Sequence, residues 1–512
     1  MLTPKSYNQD IVELSVSAWF YRNKAIAGFD NPARSLYVAI RELVENSLDA
    51  CEDAHILPEV TVLLRRRNKI SGIDLISQGP EVFELIVKDN GTGIPHKKIP
   101  RLLGKMLTGT KFTQRQSRGT FGLGGSLALL YGQVTTQEPI EIMTGQRGKT
   151  SGYHIKLRLD IERNEPIIVE EEEIPKSPDE HGTMVCFYLQ GDWIRSKRRI
   201  TDYFSQTAII VPSASLFFET PENEILKYER VIELIPKPSK ESKPHPKGVD
   251  VEMLKSIISS TKKKTLKSFM TSTFQRVGEK KAEEFLDYAG LDPERTTESL
   301  KQDDLLGMMK AMESFDGFLP PSASYLSPAG TEVLMAGTQR LNPEFIVFRQ
   351  RPPNVYEGHP FIVETGVAYG GDLGVGINMI RFANRIPLLY DERSDVAYRV
   401  IRDLKLKNYG LRPEDPLTFV IHICSTKIPY KTVGKEYIGD IDVIRREIEL
   451  GFKDCLRELS KKLRRHYRVQ RERKRENHLI AYYRFIANTL SNATGKEVTL
   501  KTLFGDNGGV DE

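Results

Sequence analysis

Glu42, Asn46 and Asp49 stand four and then three residues apart. On a helix that spacing gathers a carboxylate, a carboxamide and a second carboxylate into an arc of about sixty degrees. Ile40, Leu43, Val44 and Leu48 take the other side, so the helix would pack on something apolar while offering polar groups on one face. Asn and Asp are mediocre helix formers, so their place in mid-helix asks for a reason. Taken alone, a charged and solvated face is the simpler reading of the stripe.

Two further stretches could do chemistry. The run Glu84-Leu85-Ile86-Val87-Lys88 leads into Asp89-Asn90-Gly91-Thr92-Gly93. An apolar strand ending in a carboxylate, with glycines that let a ligand come close, suits a pocket for a base. A buried carboxylate needs a partner, and a purine amino group is one. Asn-Gly is also the commonest tight-hairpin signal, so a plain turn accounts for the same residues. Downstream stands Arg118-Gly119-Thr120-Phe121-Gly122-Leu123-Gly124-Gly125-Ser126, ahead of an apolar helix. Glycines before a helix start expose N–H groups and the positive end of the dipole to phosphate. A polar loop precedes them where a dinucleotide fingerprint needs a strand, which excludes that motif. Gly148-Lys149-Thr150 copies the end of a phosphate loop, but Met143 stands where the earlier glycine belongs, and the triplet reads as a hairpin loop.

The elements that must position these groups follow from periodicity and punctuation. Asp30-Asn31-Pro32 marks a helix start, and the helix carrying Glu42 should run to about 54. Apolar, β-branched runs at 60–66 and 82–88 read as strands, and 91–125 as a long functional loop. A helix restarts at 126, followed by strand-like runs at 140–144, 153–159, 167–171 and 183–189. That mixture predicts an α+β sandwich layer and no regular βαβ repeat. Pro236-Lys237-Pro238 through Gly248 is the clearest linker. Helical segments follow near 251–260, 266–275, 279–290 and 303–313, closed by Leu319-Pro320-Pro321. Strand character returns at 361–371 and 417–423, the pattern is helical from about 442 to 490, and 505–512 reads as disordered. The division expected is 1–234, a linker at 235–248, a helical domain at 249–318, a second α+β domain at 319–440 and a C-terminal helix with tail at 441–512.

Composition bounds this picture. A chain of 512 residues, 39% hydrophobic and 28% charged, is a soluble multidomain protein with room for about three or four domains. A net charge of +5 on so many charged groups does not by itself demand nucleic acid. No apolar run is long enough to span a bilayer, and no signal-peptide pattern opens the chain. Cys51, Cys186, Cys424 and Cys455 lie far apart. They read as reduced, mostly buried thiols of a cytoplasmic protein, not as a disulfide frame or a zinc site.

Together, the Glu-xxx-Asn-xx-Asp helix, the Asp-x-Gly-x-Gly strand end, the Gly-rich lid and His181-Gly182-Thr183 in a later strand resemble the Bergerat (GHKL) ATP fold. Gyrase B, Hsp90, the MutL proteins and sensor histidine kinases share that fold. The resemblance implies that Glu42 is the general base for the attacking water and Asn46 the Mg²⁺ ligand. Asp89 would bind the adenine amino group with Thr183 beside it. Gly93, Lys111, Gly119, Phe121, Gly122, Leu123, Gly124, Gly125 and Ser126 would line the nucleotide, and Asp49 would orient the pocket. The physics agrees, since Mg²⁺ takes hard oxygen donors and hydrolysis needs one positioned base.

Within that superfamily, Tyr21-Arg22-Asn23-Lys24, Ala27-Gly28-Phe29 and the run Arg41 to Ala50 resemble the B subunits of DNA topoisomerase VI. So do Gly358-His359-Pro360-Phe361-Ile362-Val363-Glu364 with Tyr369-Gly370-Gly371, Asn384-Arg385-Ile386-Pro387-Leu388-Leu389-Tyr390-Asp391, and Cys424-Ser425-Thr426-Lys427-Ile428-Pro429-Tyr430-Lys431 with Gly434-Lys435-Glu436. The likeness covers nearly the whole chain. It implies a multidomain α+β protein: a Bergerat ATPase sandwich, a small helix–two-turns–helix domain, and a ribosomal-S5-like transducer domain with a long C-terminal helix. It also implies ATP and Mg²⁺, a nucleotide-dependent B homodimer, double-stranded DNA, and a separate A subunit whose tyrosine cleaves DNA. Lys435 would reach the γ-phosphate as a flexible point charge, though by itself it reads as a solvated loop lysine. Family members usually carry a lysine where this chain has Ser126, so phosphate contacts would rest on backbone amides, the Ser126 hydroxyl and Lys111.

The helix–two-turns–helix module would turn at Phe274-Gln275-Arg276-Val277-Gly278, with Lys262-Lys263-Lys264 either touching DNA phosphates or forming a solvated run. Nine Lys and Arg residues between 461 and 475 exceed what a solvated face needs and suit DNA. Tyr482-Tyr483 and Phe485-Ile486 suit docking on a partner or simple core packing. Asp440-Ile441-Asp442 lacks the apolar strand a DNA-cleaving metal pair would need, so cleavage belongs to another chain. The alternative is an Hsp90-like or MutL-like clamp acting on other clients.

Overall fold

The computed structural model describes residues 23, 28–67, 81–104, 115–119, 124–261, 264–431, 435–495 and 497–499. Tyr21, Arg22, Lys24, Ala27, Lys111, Thr120, Phe121, Gly122, Leu123, Lys262, Lys263, Gly434 and the tail at 505–512 lie outside the described residues.

Helix α1 (Pro32–Glu52) begins as its sequence predicts. The Asn31 side chain accepts the Arg34 N–H at 2.9 Å, and Pro32 fills the first turn, where its missing N–H costs nothing. Its apolar stripe, Leu36, Ile40, Leu43, Val44 and Leu48, is buried. It packs over a sheet made of β1 (Glu59–Arg66), β2 (Glu81–Asp89), β3 (Ile140–Gly145), β4 (Ser151–Asp160), β5 (Glu165–Pro175), β6 (Gly182–Gly191), β7 (Ser215–Glu219) and β8 (Ile225–Tyr228). The spatial order is β5-β4-β3-β6-β2-β1-β7-β8. Only β1 and β7 run parallel; the other pairs are antiparallel. This is the expected α+β layer, with Arg147 and Gly148 turning the β3–β4 hairpin and Lys149 N–H closing the turn on Gln146 O.

Two helices depart from expectation. The stretch 91–125 is not all loop: α2 (Ile99–Gly104) forms within it, anchored by buried Ile99 and Leu103. After it comes α3 (Gly124–Thr136), starting two residues earlier than predicted. Helix α4 (Trp193–Ile210) has no counterpart in the sequence reading, because Arg195, Lys197, Arg198 and Arg199 dilute its apolar pattern. Asp192 caps it, and Trp193, Ile200, Tyr203 and Phe204 are buried beneath it.

Helices α5 (Val251–Ser260), α6 (Leu266–Thr273), α7 (Glu279–Tyr288) and α8 (Gln302–Ser314) enclose a core of their own around Phe269, Phe274, Phe285 and Met308. The chain turns between α6 and α7 at Arg276, which takes φ +57°. Past α9 (Thr331–Thr338), a second sheet holds β9 (Phe345–Gln350), β10 (Asn354–Tyr356), β11 (His359–Tyr369), β12 (Ile377–Ala383), β13 (Ile386–Pro387) and β14 (Leu417–Ser425). Helix α10 (Val396–Asp403) and the 53-residue α11 (Asp442–Thr494) cover it, the latter lying on β11 and β9. Asp440 pairs with Arg399 and Arg445 and so serves to pin the start of α11.

The two sheets do not float apart. Ala329, Leu334, Phe348, Phe382 and Val420 belong to the same apolar core as α1 and α4. The linker composition at 236–248 also misleads in part, since Lys240 N–H donates to Tyr325 O at 3.0 Å and the Ser239 hydroxyl to Gln116 O at 2.6 Å. Among the described residues no helix is long and apolar enough to cross a membrane, and the four cysteines are free and buried.

Inside the second sheet, Glu364 on β11 is fully buried. It accepts Ala329 N–H at 2.8 Å, Gly330 N–H at 2.7 Å and His422 Nδ1–H at 2.7 Å. The His422 ring is neutral with its proton on Nδ1, because Nε2 accepts the Arg385 N–H at 3.1 Å. Glu364→Leu would strand three buried donors, and is expected to cost about 3–5 kcal/mol of stability. Urea unfolding would read this as a lower midpoint; an unchanged midpoint would mean the donors find other partners.

Candidate nucleotide site

The polar stripe of α1 is only partly open to solvent. Glu42 is only 8% exposed, and Arg41 Nη2 donates to its Oε1 at 2.6 Å. The start of α3 lies directly on it. A Cβ at Gly124 would fall into the Glu42 carboxyl group, and one at Gly125 would stand 2.7 Å from Asn46 Nδ2. Residues roughly eighty positions apart in sequence thus meet because two glycines lack side chains, and the helix start they open carries the amides and dipole that favour phosphate. Asn46 itself is exposed, and its amide oxygen is a hard donor of the kind Mg²⁺ takes. Among the described residues no group of three or more His, Cys, Asp or Glu could hold a metal.

Asp89 ends β2 beside β6. Its Oδ1 accepts Gly91 N–H at 2.9 Å and Thr183 N–H at 3.2 Å. Burial pushes its carboxyl up, against the hydrogen bonds from Gly91, Ser47 and Thr183. Such a carboxylate is positioned and under-solvated, ready for an amino-group partner. Thr183 Oγ1 lies 3.0 Å from Thr144 Oγ1, which also accepts Ile94 N–H at 2.8 Å. Gly93 takes φ +69°, and a Cβ there would stand 2.1 Å from the Gly145 carbonyl oxygen, so only glycine fits. Asn-Gly at 90–91 therefore does not make a hairpin: the chain leaves β2 into the pocket wall.

From the segment between β14 and α11 comes Lys435. It is 8% exposed, not a solvated loop lysine, and its Nζ donates to the Arg118 carbonyl at 3.0 Å. Neighbouring Glu436 pairs with Arg34 of α1. Lys435 also stands near Glu45, where neither carboxylate oxygen has a hydrogen-bond partner. Burial pushes the Glu45 carboxyl up to about 7, with Lys435 the strongest opposing influence and Glu42 adding to the rise.

The structure brings Glu42, Asn46, Gly124, Gly125 and buried Ser126 together at the α1–α3 contact, with Asp89, Gly93 and Thr183 at the β2–β6 end, while Gly119 is placed only by the Ser117 hydroxyl that its carbonyl accepts. Lys111, Phe121, Gly122 and Leu123 lie outside the described residues. Sequence reading missed Arg41, Glu45, Glu52, Arg118 and Arg385. Arg118 bridges Asp49 at 2.7 Å and Glu52 at 2.7 Å, so Asp49 acts as an anchor for the lid segment. A signal did exist: Glu42, Glu45, Asp49 and Glu52 recur at three- and four-residue steps, an acidic stripe that buried cations must answer.

Known families match both halves of this chain. Residues 31–190 match the model of the histidine kinase-, DNA gyrase B- and HSP90-like ATPases, and residues 321–475 match that of the topoisomerase VI B subunit transducer. The B subunit of type 2 DNA topoisomerase 6 from Metallosphaera sedula is 41% identical over 486 residues, covering 94% of this chain and 89% of that one. Its counterpart from Saccharolobus islandicus is 39% identical over 487 residues, with the same coverage. A crystal structure of the DNA gyrase B subunit from Myxococcus xanthus aligns over 87% of this chain and 95% of that one, at 10% identity and a TM-score of 0.44, too loose a likeness to argue from. With an ATPase module and a transducer both matched, and with relatives similar over nearly their whole length, this chain belongs to the family of type 2 DNA topoisomerase 6 B subunits.

Proposed function

We propose that Glu42 is the general base of ATP hydrolysis, that Asn46 holds Mg²⁺, and that Asp89, with Thr183 beside it, selects adenine. Members of this family are the ATP-hydrolysing subunits of type IIB DNA topoisomerases, and the chain's function is that of such a subunit. The observation that carries the residue assignment is the contact of the α3 glycines with Glu42 and Asn46. It sets a carboxylate and a carboxamide beside a helix start suited to phosphate, which supports those roles. When bound, Mg²⁺ neutralises charge on the phosphate oxygens. Glu42 orients water and takes its proton. Asp89 accepts from the adenine amino group. Gly93, Gly119 and the glycines up to Gly125, with Ser126 in place of the lysine usual in the family, donate to phosphate through backbone and hydroxyl. Lys435 moves its ammonium from the Arg118 carbonyl to the γ-phosphate, and so reports whether that phosphate is there.

In this scheme residues 1–234 bind and hydrolyse ATP, 235–248 link, 249–318 form the helix–two-turns–helix domain, 319–440 transduce, and 441–512 form the stalk and tail. Two B subunits close on Mg-ATP around one DNA duplex. The rotation of their transducers drives a partner A subunit to open the other duplex and pass strands. The basic stretch at 461–475 is largely exposed and faces DNA, and exposed Tyr482 and Phe485 dock on the A subunit. The test is copurification with an A subunit followed by relaxation and decatenation of circular DNA. Activity that requires ATP is expected; a stable complex that leaves DNA topology unchanged with ATP would refute the scheme.

A further inference from the structure

A buried charge cluster beside the nucleotide site connects the two halves of the molecule. It starts at the turn between β12 and β13. Ala383 pairs with Ile386, so the turn has two residues, Asn384 at φ +46° and Arg385 at φ +64°. Two left-handed residues make the hairpin turn that normally ends in glycine. Here the second residue is a buried arginine, held in a backbone conformation its side chain disfavours. Such strain persists only where the surroundings over-determine it.

The surroundings are specific. Arg385 Nη1 reaches Glu52 Oε2 at 2.9 Å, at the last turn of α1. Its Nη2 donates to Ser327 O at 3.1 Å, and its N–H to His422 Nε2. Glu52 is shared: Arg118 binds both its oxygens, at 2.7 and 2.9 Å. Burial works against the Glu52 charge, but the two arginines outweigh it and hold the carboxyl below its ordinary range. The segment ending at Arg118 is stitched to the same half. Gln116 exchanges two hydrogen bonds with Ser327, at 2.8 and 2.7 Å, and Asn384 Nδ2 donates to Ser117 O at 3.2 Å. Arg118 in turn presents the carbonyl that accepts Lys435 Nζ, immediately before the lid glycines.

We propose that Arg385 is a positioning residue for the coupling of ATP to strand passage: through the carboxylate of Glu52 it sets the Arg118 carbonyl, and so the resting place of Lys435, according to where the transducer stands. Residues 115–118 and the transducer then move as one, because a shift of either breaks the ion pairs of a carboxylate shared by two buried guanidinium groups. This rests on the reading of Lys435 as the γ-phosphate reporter, and the experiment separates the two.

The test uses the full complex with the A subunit and measures ATP hydrolysed per decatenation event. Arg385→Gly removes the guanidinium while relieving the left-handed turn, and leaves Glu52 still paired with Arg118. The ratio is expected to rise about tenfold, the size of a typical coupling free energy. Arg385→Lys, which can still meet Glu52 with one donor, should restore part of the loss. In a Lys435→Met background Arg385→Gly should add nothing further. A wild-type ratio in Arg385→Gly, or effects of the two substitutions that multiply, would overturn the proposal. If Lys435→Met alone leaves coupling intact, it is the lysine's assignment that fails. Should Arg385→Gly lower the melting temperature markedly without Arg385→Lys restoring coupling, the residue's part is structural only and the proposal falls.

Discussion

Glu42→Gln is expected to lower ATP turnover by about 10²–10⁴-fold, the usual worth of a positioned general base, while ATP affinity changes little. The substitution is nearly isosteric, and the structure says why that matters. Gly124 lies so close to the Glu42 carboxyl that a larger or differently shaped group would lift the start of α3 off α1. An amide fits the same space, and its oxygen can still accept from Arg41 Nη2, 2.6 Å from the carboxylate now. What is lost is the capacity to take a proton from water. Turnover and nucleotide binding should therefore separate: steady-state hydrolysis falls, and calorimetric ATP binding persists. Brisk residual hydrolysis would remove Glu42 from its role and turn attention to Glu45, the other carboxylate on that turn.

How much of this is legible beforehand depends on the distance over which each feature is encoded. Helix α1 is announced locally, by Asn31-Pro32 at its start and by an apolar period that never breaks. The long strands of the first sheet are apolar, β-branched runs with clear ends, and they can be read directly. Helix α4 cannot, because four cations interrupt the exposed side of its pattern and only burial tells which face counts. At the site, motif spacing identifies the groups that would touch nucleotide. It does not identify what holds them. Arg385 and Glu52 are 333 positions apart, and Lys435 and Arg118 317 apart. Pairings of that kind leave no periodicity and no local composition bias; they exist only once two sheets share a core. The linker shows the converse. Its prolines and lysines read as a loose tether, yet Ser239 and Lys240 are tied down by partners that no local rule predicts.

Lys435→Met should reduce strand passage more steeply than ATP hydrolysis, which it should slow by about 10²–10³-fold, as loss of one preorganised charge on a transition state commonly does. Three features argue that this lysine is built to move charge and not merely to fill space. It adopts φ +55°, a left-handed conformation that costs a non-glycine residue about 1–2 kcal/mol. It is buried, which a lysine accepts only beside partners. And its partner is a neutral carbonyl, Arg118 O, which a phosphate would outbid because a charge-assisted bond is roughly twice as strong. Methionine keeps the apolar stem and fills the same channel. It removes the main influence holding the Glu45 carboxyl down, so that carboxyl moves further up and sits protonated, a neutral group the interior tolerates. The fold should therefore survive, and the melting temperature of the variant is the control. The decisive pair of measurements is decatenation against hydrolysis in the same complex. Loss of the first with partial retention of the second is the signature of a severed reporter, whereas equal retention of both would show that the ammonium plays no part in either.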